Sequence, residues 1–367
     1  MIRALLVDDE EPARLRLRAM LENCGDIEVI GEAADGPEAL RKICDECPDL
    51  VFLDIQMPGP SGMEVAASLP PPRPRIIFCT AFDRYAINAF EQHATDYLLK
   101  PVGRKRLERA LGRVRRSIDE EHVRAREEIA ASRAQARLLP QSSPRVSGLD
   151  YAGSCRAAQG VGGDYYDFLA IGESVGIAVG DVSGKGLYAG LLAASLQARV
   201  QSLAPLSGHD LRSMFAATNR SMHESTESHH YATLFYGVYS PNSRELNYVN
   251  AGHVPPLLIR GETDAGERVE RLGSTGTAVG LLPDSAYEEG IVRLSPGDVL
   301  LIYTDGLIEA SNASGDEFGE AHLAERVARL SGLPAAQLRD AILAEVDRFV
   351  GNAPRRDDLT LVTVKVT

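Results

Sequence analysis

At 367 residues, with 44% hydrophobic and 25% charged side chains, the chain is long for one core and has the usage of a folded protein of two domains plus a connector. A net charge of −13 supplies no overall basic surface for nucleic acid or an anionic membrane. No apolar run approaches the roughly 20 residues of a membrane span, and Met1 to Val7 is too short for a signal-peptide core, so a cytoplasmic location is expected.

In the first hundred residues short apolar runs alternate with helical patterns. Strands are expected at Ala4 to Val7, Glu28 to Glu32, Leu50 to Leu53, Ile76 to Cys79 and Tyr97 to Leu99. Helices are expected at Pro12 to Asn23, Gly36 to Asp45, Gly62 to Leu69 and Arg84 to Gln92. Continuous apolar strands between helices imply a parallel sheet covered on both faces, a doubly wound α/β domain. The Cys44-x-x-Cys47 pair falls where a helix ends and has no second pair nearby to complete a zinc site. The five cysteines (Cys24, Cys44, Cys47, Cys79, Cys155) therefore read as free thiols of a reducing compartment.

From Arg104 to Leu139 the composition turns charged and alanine-rich, which predicts one long helix. Its apolar positions (Leu107, Leu111, Val114, Ile118, then His122, Ala125, Ile129, Ser132, Ala136, Leu139) alternate spacings of three and four with a stutter at Ile118. A marginal two-stranded coiled coil, and with it a homodimer, is expected, the alternative being a single helix lying along a domain. Pro140 stops the helix, and Gln141 to Gly148 is a polar linker. The domains expected are thus 1–118, a helical connector 104–139, and 140–367.

Beyond Leu149, strands are expected at Val175 to Val179, Ala232 to Tyr239, Glu245 to Asn250, Pro256 to Ile259, Val299 to Tyr303 and Leu359 to Val366. Helical patterns interrupt them at Ala189 to Leu203, Asp210 to Ser221, Ala321 to Leu330 and Pro334 to Phe349. Strands in runs with grouped helices indicate an α+β sandwich.

Two sets of carboxylates carry the chemistry. Asp8 and Asp9 follow the first strand, Asp54 and Thr80 end the third and fourth, and Lys100 ends the fifth. The carboxyl edge of an open parallel sheet brings such ends to one place. The second set, Asp164, Asp181, Asp305 and Asp357, lies in turn-forming contexts, three of them next to a strong strand. A carboxylate cluster with a lysine suits a phosphorylated state. Four glycine-flanked carboxylates without one suit two hard cations and a hydrolytic water. His229 and His230 read as a solvated helix end without carboxylates at ligand spacing.

The motifs D-D-E (Asp8 to Glu10), F-L-D-I-Q-M-P-G (Phe52 to Gly59), T-A (Thr80, Ala81) and D-Y-L-L-K-P (Asp96 to Pro101) resemble the receiver domain of two-component response regulators. The resemblance implies that Asp54 accepts a phosphoryl group from a sensor histidine kinase. It implies Mg²⁺ on Asp8 or Asp9, Asp54 and the Gln56 carbonyl, Lys100 neutralising charge, Thr80 and Tyr97 as the switch pair, and a cis bond before Pro101.

From about Arg137 onward, R-L-L-P, V-G-G-D-Y-Y-D-F, G-D-V-S-G-K-G, N-A-G-H, Y-T-D-G-L-I-E and D-D-L-T resemble the SpoIIE/RsbU branch of the phosphatase 2C superfamily. The implied fold is a β-sandwich protein-serine/threonine phosphatase with two Mn²⁺ or Mg²⁺ ions. Asp181 would bridge them, Asp305 and Asp357 complete one site, and Asp164 with the Val182 carbonyl support the other. Ser183 stands where eukaryotic members carry a proposed acid histidine, and His253 is the candidate replacement or a structural residue of its turn. The expected function is a response regulator with phosphatase output controlled by Asp54, acting on a STAS-type anti-anti-sigma factor. The alternatives are a non-catalytic phosphatase-like adaptor and, last, a DNA-binding regulator, for which no basic reading element is seen.

Overall fold

The computed structural model describes residues 1–81, 94–227, 229–261 and 269–367. The expected helix at Arg84 to Gln92 lies outside the described residues. The chain divides into two compact units, Met1–Ala125 and Arg126–Thr367.

In the first unit β1 (Ile2–Val7), β2 (Ile27–Ala33), β3 (Leu50–Asp54), β4 (Arg75–Thr80) and β5 (Asp96–Leu99) form one parallel sheet in the order β2-β1-β3-β4-β5. Successive side chains of a strand point to opposite faces, so both faces of these apolar strands must be covered. Ala4 and Leu6 pack with Leu17 and Leu21 of α1 (Glu11–Leu21). Leu5 and Val7 pack with Ala39 and Ile43 of α2 (Gly36–Glu46) and Val65 of α3 (Gly62–Ser68). Cys47 caps α2 in the left-handed region at φ 45°, and both it and Cys44 are exposed and free.

The long helix α4 runs Arg104–Leu138 without a break. Its first turns bury Leu107, Ala110, Leu111 and Val114 in the same core as Ala4 and Leu6. Three of the positions read as coiled-coil seam are therefore consumed by the first unit, because a helix flanking a parallel sheet must give its apolar stripe to that sheet. From Asp119 to Ala130 every residue is exposed.

The second unit is a sandwich of two five-stranded sheets, β13-β10-β9-β8-β7 and β12-β11-β14-β15-β6. The first contains β7 (Asp164–Ile171), β8 (Ser174–Val182), β9 (Ala232–Ser240), β10 (Glu245–Ala251) and β13 (Gly290–Arg293), all antiparallel. The second contains β6 (Leu149–Arg156), β11 (Leu257–Ile259), β12 (Val269–Arg271), β14 (Val299–Tyr303) and β15 (Leu359–Val366). Phe168, Ile177, Val179 and Phe235 meet Leu258, Leu300, Ile302 and Val362 between the sheets. Outside the first sheet pack α5 (Gly186–Ser207) and α6 (Leu211–Ser225), through Leu196, Val200 and Phe215. Outside the second pack α8 (Glu320–Leu330) and α9 (Ala335–Val350), which follow the single turn α7 (Asp305–Ile308). Strands β6, β7, β12 and β13 and the turn α7 go beyond the elements read from sequence. Among the described residues no helix is long and apolar enough to cross a membrane.

Candidate functional site

At the carboxyl edge of the parallel sheet the Lys100 ammonium lies 2.7 Å from Asp8 Oδ2 and 2.7 Å from Asp54 Oδ2. Ligand atoms of Asp8, Asp9 and Asp54 all fall within 4.8 Å of one another, a spacing that fits an oxygen-loving cation. Asp8 and Asp54 are buried and Asp9 is exposed. Burial pushes the Asp54 carboxyl above its ordinary range, against the pull of Lys100. Burial would lower Lys100, yet its bonds to Asp54 and Asp8 hold it above the usual lysine range. The Gln56 N–H donates to Asp54 Oδ1 at 3.2 Å. Gly62 lies so close under this turn that a Cβ there would be 2.0 Å from the Asp54 carbonyl oxygen. Thr80 is buried at the end of β4, and Tyr97 is half-buried beneath the Arg106 guanidinium, 5.3 Å from its ring centre. The peptide before Pro101 is cis.

In the second unit Asp164 opens β7 and faces Asp181 across the ladder to β8. Asp305 follows the end of β14, and Asp357 stands two residues before β15, so the two sheets deliver carboxylates to one end of the sandwich. Burial first, then Asp181, drives Asp164 well up from the ordinary carboxylate value. Burial, then Asp305 and Asp357, pushes Asp181 up to about 7, and burial with Asp357 raises Asp305. Asp181 is thus crowded by Asp305 and Asp357, and Asp164 by Asp181, as like charges gathered in a site for cations would be. Among the described residues the trios with ligand atoms within 4.8 Å are Asp8-Asp9-Asp54 and Glu227-His229-His230; the C-terminal quartet is more open.

Neighbours hold this set in place. Thr304 Oγ1 donates to Asp164 Oδ2 at 2.7 Å and accepts the Thr360 N–H at 3.0 Å, stitching β14, β15 and β7 together. Asp358 accepts the N–H groups of Ala158 (2.8 Å) and Gly163 (2.6 Å), fixing the loop that leads into Asp164. A Cβ at Gly163 would meet the Val182 carbonyl oxygen at 2.6 Å, so only glycine allows this close approach. Gln135 of α4 donates to the Gly162 carbonyl (2.6 Å) and accepts its N–H (3.0 Å). A pocket lined by Gly306, Glu309, Arg355, Arg356 and Asp357 over Val346 and Val350 opens beside Asp357.

Three readings from sequence need correction or completion. The C-terminal carboxylates do have a lysine: Lys185 Nζ lies 3.0 Å from Asp357 Oδ2 and 2.6 Å from the Arg356 carbonyl. Positive φ at Gly184 (101°) and Gly186 (73°) folds the G-K-G loop back to that position, which linear spacing from Asp181 does not reveal. His229 does have a carboxylate at hand, Glu227 Oε2 at 3.6 Å, two residues earlier in the turn. His253 is enclosed: its Nδ1 meets Thr233 Oγ1 at 2.9 Å, its N–H bonds Asn250 Oδ1, and burial lowers its imidazole to about 4. These contacts hold the ring within its own turn, the structural alternative read from sequence. Lys185, Thr304, Asp358 and Gln135 were not singled out from sequence; the first three lie inside or beside the motifs, and Gln135 carries no local signal.

Fold and site together define a receiver domain joined to a phosphatase 2C-like domain. The family Stage II sporulation protein E (SpoIIE) matches residues 171–367, more than half of the chain, and the chain belongs to it. The response regulator receiver domain matches residues 4–112. Among solved structures, the SiaA-PP2C domain of Pseudomonas aeruginosa aligns at a TM-score of 0.60 and 21% identity, over 68% of this chain and 99% of that one. The RsbU and RsbW domains of Rv1364c from Mycobacterium tuberculosis align at 0.53 and 26%, over 62% and 63%. The transcriptional regulatory protein BtsR of Salmonella typhi is 52% identical over 124 residues, 34% of this chain and 52% of the relative. Its Escherichia coli K12 counterpart is 49% identical over the same shares. The chain spans about half the length of these curated relatives.

Proposed function

We propose that the protein is a phosphorylation-controlled, metal-dependent phosphoprotein phosphatase acting on phosphoserine or phosphothreonine. The observation that carries this reading is the convergence of four carboxylates at one end of the sandwich: Asp164 faces Asp181 across the β7–β8 ladder, and Asp305 and Asp357 flank the ends of β14 and β15. Asp181 with Asp305 and Asp357, and Asp164 with the Val182 carbonyl, would hold two Mn²⁺ or Mg²⁺ ions, which would acidify a water and neutralise phosphoryl oxygens. The donor set fits, since it is carboxylate and carbonyl without sulfur or imidazole. Thr304 orients Asp164 and Asp358 fixes its loop, so the carboxylates are positioned before substrate arrives.

In the receiver, Asp54 would accept the phosphoryl group of a sensor histidine kinase, with Mg²⁺ on Asp8, Asp9, Asp54 and the Gln56 carbonyl and Lys100 balancing the charge. Thr80 and Tyr97 would register the new phosphate. The exposed stretch of α4, with Ile129 53% accessible, supports pairing of two chains through that helix. The substrate we favour is a phosphorylated STAS-type anti-anti-sigma factor in the cytoplasm. Incubating a phosphoserine STAS protein with the full chain and Mn²⁺ should release its phosphate, detected by mass spectrometry. A phosphoprotein left intact by enzyme that hydrolyses p-nitrophenyl phosphate would overturn the substrate assignment.

A further inference from the structure

Lys185 reaches the carboxylate quartet from outside the metal-binding set. It precedes the first turn of α5 between two glycines of positive φ and touches both Asp357 and the Arg356 carbonyl. Its charge also acts on Asp305. Among the described residues it is the cation seen in an ion pair with the quartet. The contrast with Lys100 is informative. Lys100 and Asp54 are enclosed, at 18% and 6% side-chain exposure, whereas Lys185 and Asp357 are open to solvent at 55% and 48%. An ion pair that open contributes little to stability and is readily exchanged for another partner.

We propose that Lys185 is a phosphate-binding residue of the phosphatase site, donating to a non-bridging oxygen of the phosphomonoester dianion. This rests on the metal-dependent phosphatase reading above. Four aspartates carry four negative charges, which two divalent cations cancel, so the dianion needs a further positive group at the mouth of the site. An ammonium has three donors, and Asp357 and the Arg356 carbonyl take two. The third is free for a phosphoryl oxygen, and a cation on Asp357 releases another. Arg356 and Asp357, the two residues that Lys185 touches, also line the pocket described above, so an opening lies next to its contacts.

The test is steady-state hydrolysis of p-nitrophenyl phosphate by the full chain, with Mn²⁺ titrated separately. Lys185→Met should raise KM about tenfold, the loss of one charge-assisted hydrogen bond, and weaken inhibition by inorganic phosphate in parallel. The Mn²⁺ half-saturation should stay or fall, because Asp357 loses a competitor, and Lys185→Arg should recover most of the KM. If Lys185 only steadies Asp357, the half-saturation shifts while KM at saturating Mn²⁺ and phosphate inhibition are unchanged, and the inference is overturned. Wild-type enzyme without Mn²⁺-dependent hydrolysis would overturn the phosphatase reading, and this inference with it.

Discussion

His253 shows how one buried side chain ties stability to pH. Its folded value of about 4 lies below the roughly 6.5 of an unfolded histidine, so between these values the unfolded chain binds the extra proton. The histidine therefore gives its full stability above about pH 6.5 and loses it as pH falls toward 4, a change of roughly 3 kcal/mol. Asp164 and Asp181 push the other way, since burial and mutual repulsion make them hold protons more tightly when folded. Urea unfolding of wild type and His253→Asn from pH 7.5 to 5 isolates the imidazole. The stability difference between the two proteins should narrow as pH falls, and a difference constant with pH would refute the assignment.

At the scale of elements, α4 belongs to both units. Its start is buried with Ala4 and Leu6 of the sheet, and its end grips Gly162, two residues from Asp164. Gln135→Ala removes both bonds, and we expect the Mn²⁺ half-saturation of hydrolysis to rise about tenfold, as for loss of a group that supports a metal ligand. A lower melting temperature with unchanged half-saturation would mean that the helix end only packs. The helix itself was legible, from Arg104 to one residue past its observed end at Leu138, because propensity and the absence of breakers decide it. Its partners were not, because heptad spacing does not say whether Leu107 and Val114 face a second chain or the chain's own sheet. The parallel strands were legible as apolar runs, and the antiparallel edges β6, β7, β12 and β13 less so, since edge strands carry mixed polarity. The carboxylates at the strand ends came from motifs. Lys185 and Asp358 depended on two glycine turns and a cross-sheet approach that no linear spacing records.

The whole molecule carries two carboxylate centres in one chain, and we propose that both handle phosphoryl groups. The receiver trio Asp8, Asp9 and Asp54 is tight and lysine-bound, suited to holding a phosphoryl group. In our proposal the more open quartet around Asp181 releases one as inorganic phosphate. Our account makes the first the control of the second, which requires the two to be coupled in the intact chain. The most direct measurement is Mn²⁺-dependent p-nitrophenyl phosphate hydrolysis, with and without acetyl phosphate, by wild type, Asp54→Asn and Asp181→Asn. The account predicts a rate that changes with acetyl phosphate in wild type, no such change in Asp54→Asn, and a loss of at least about 100-fold in folded Asp181→Asn, more than a supporting residue costs. Full hydrolysis by Asp181→Asn, or an acetyl phosphate response that survives in Asp54→Asn, would contradict it.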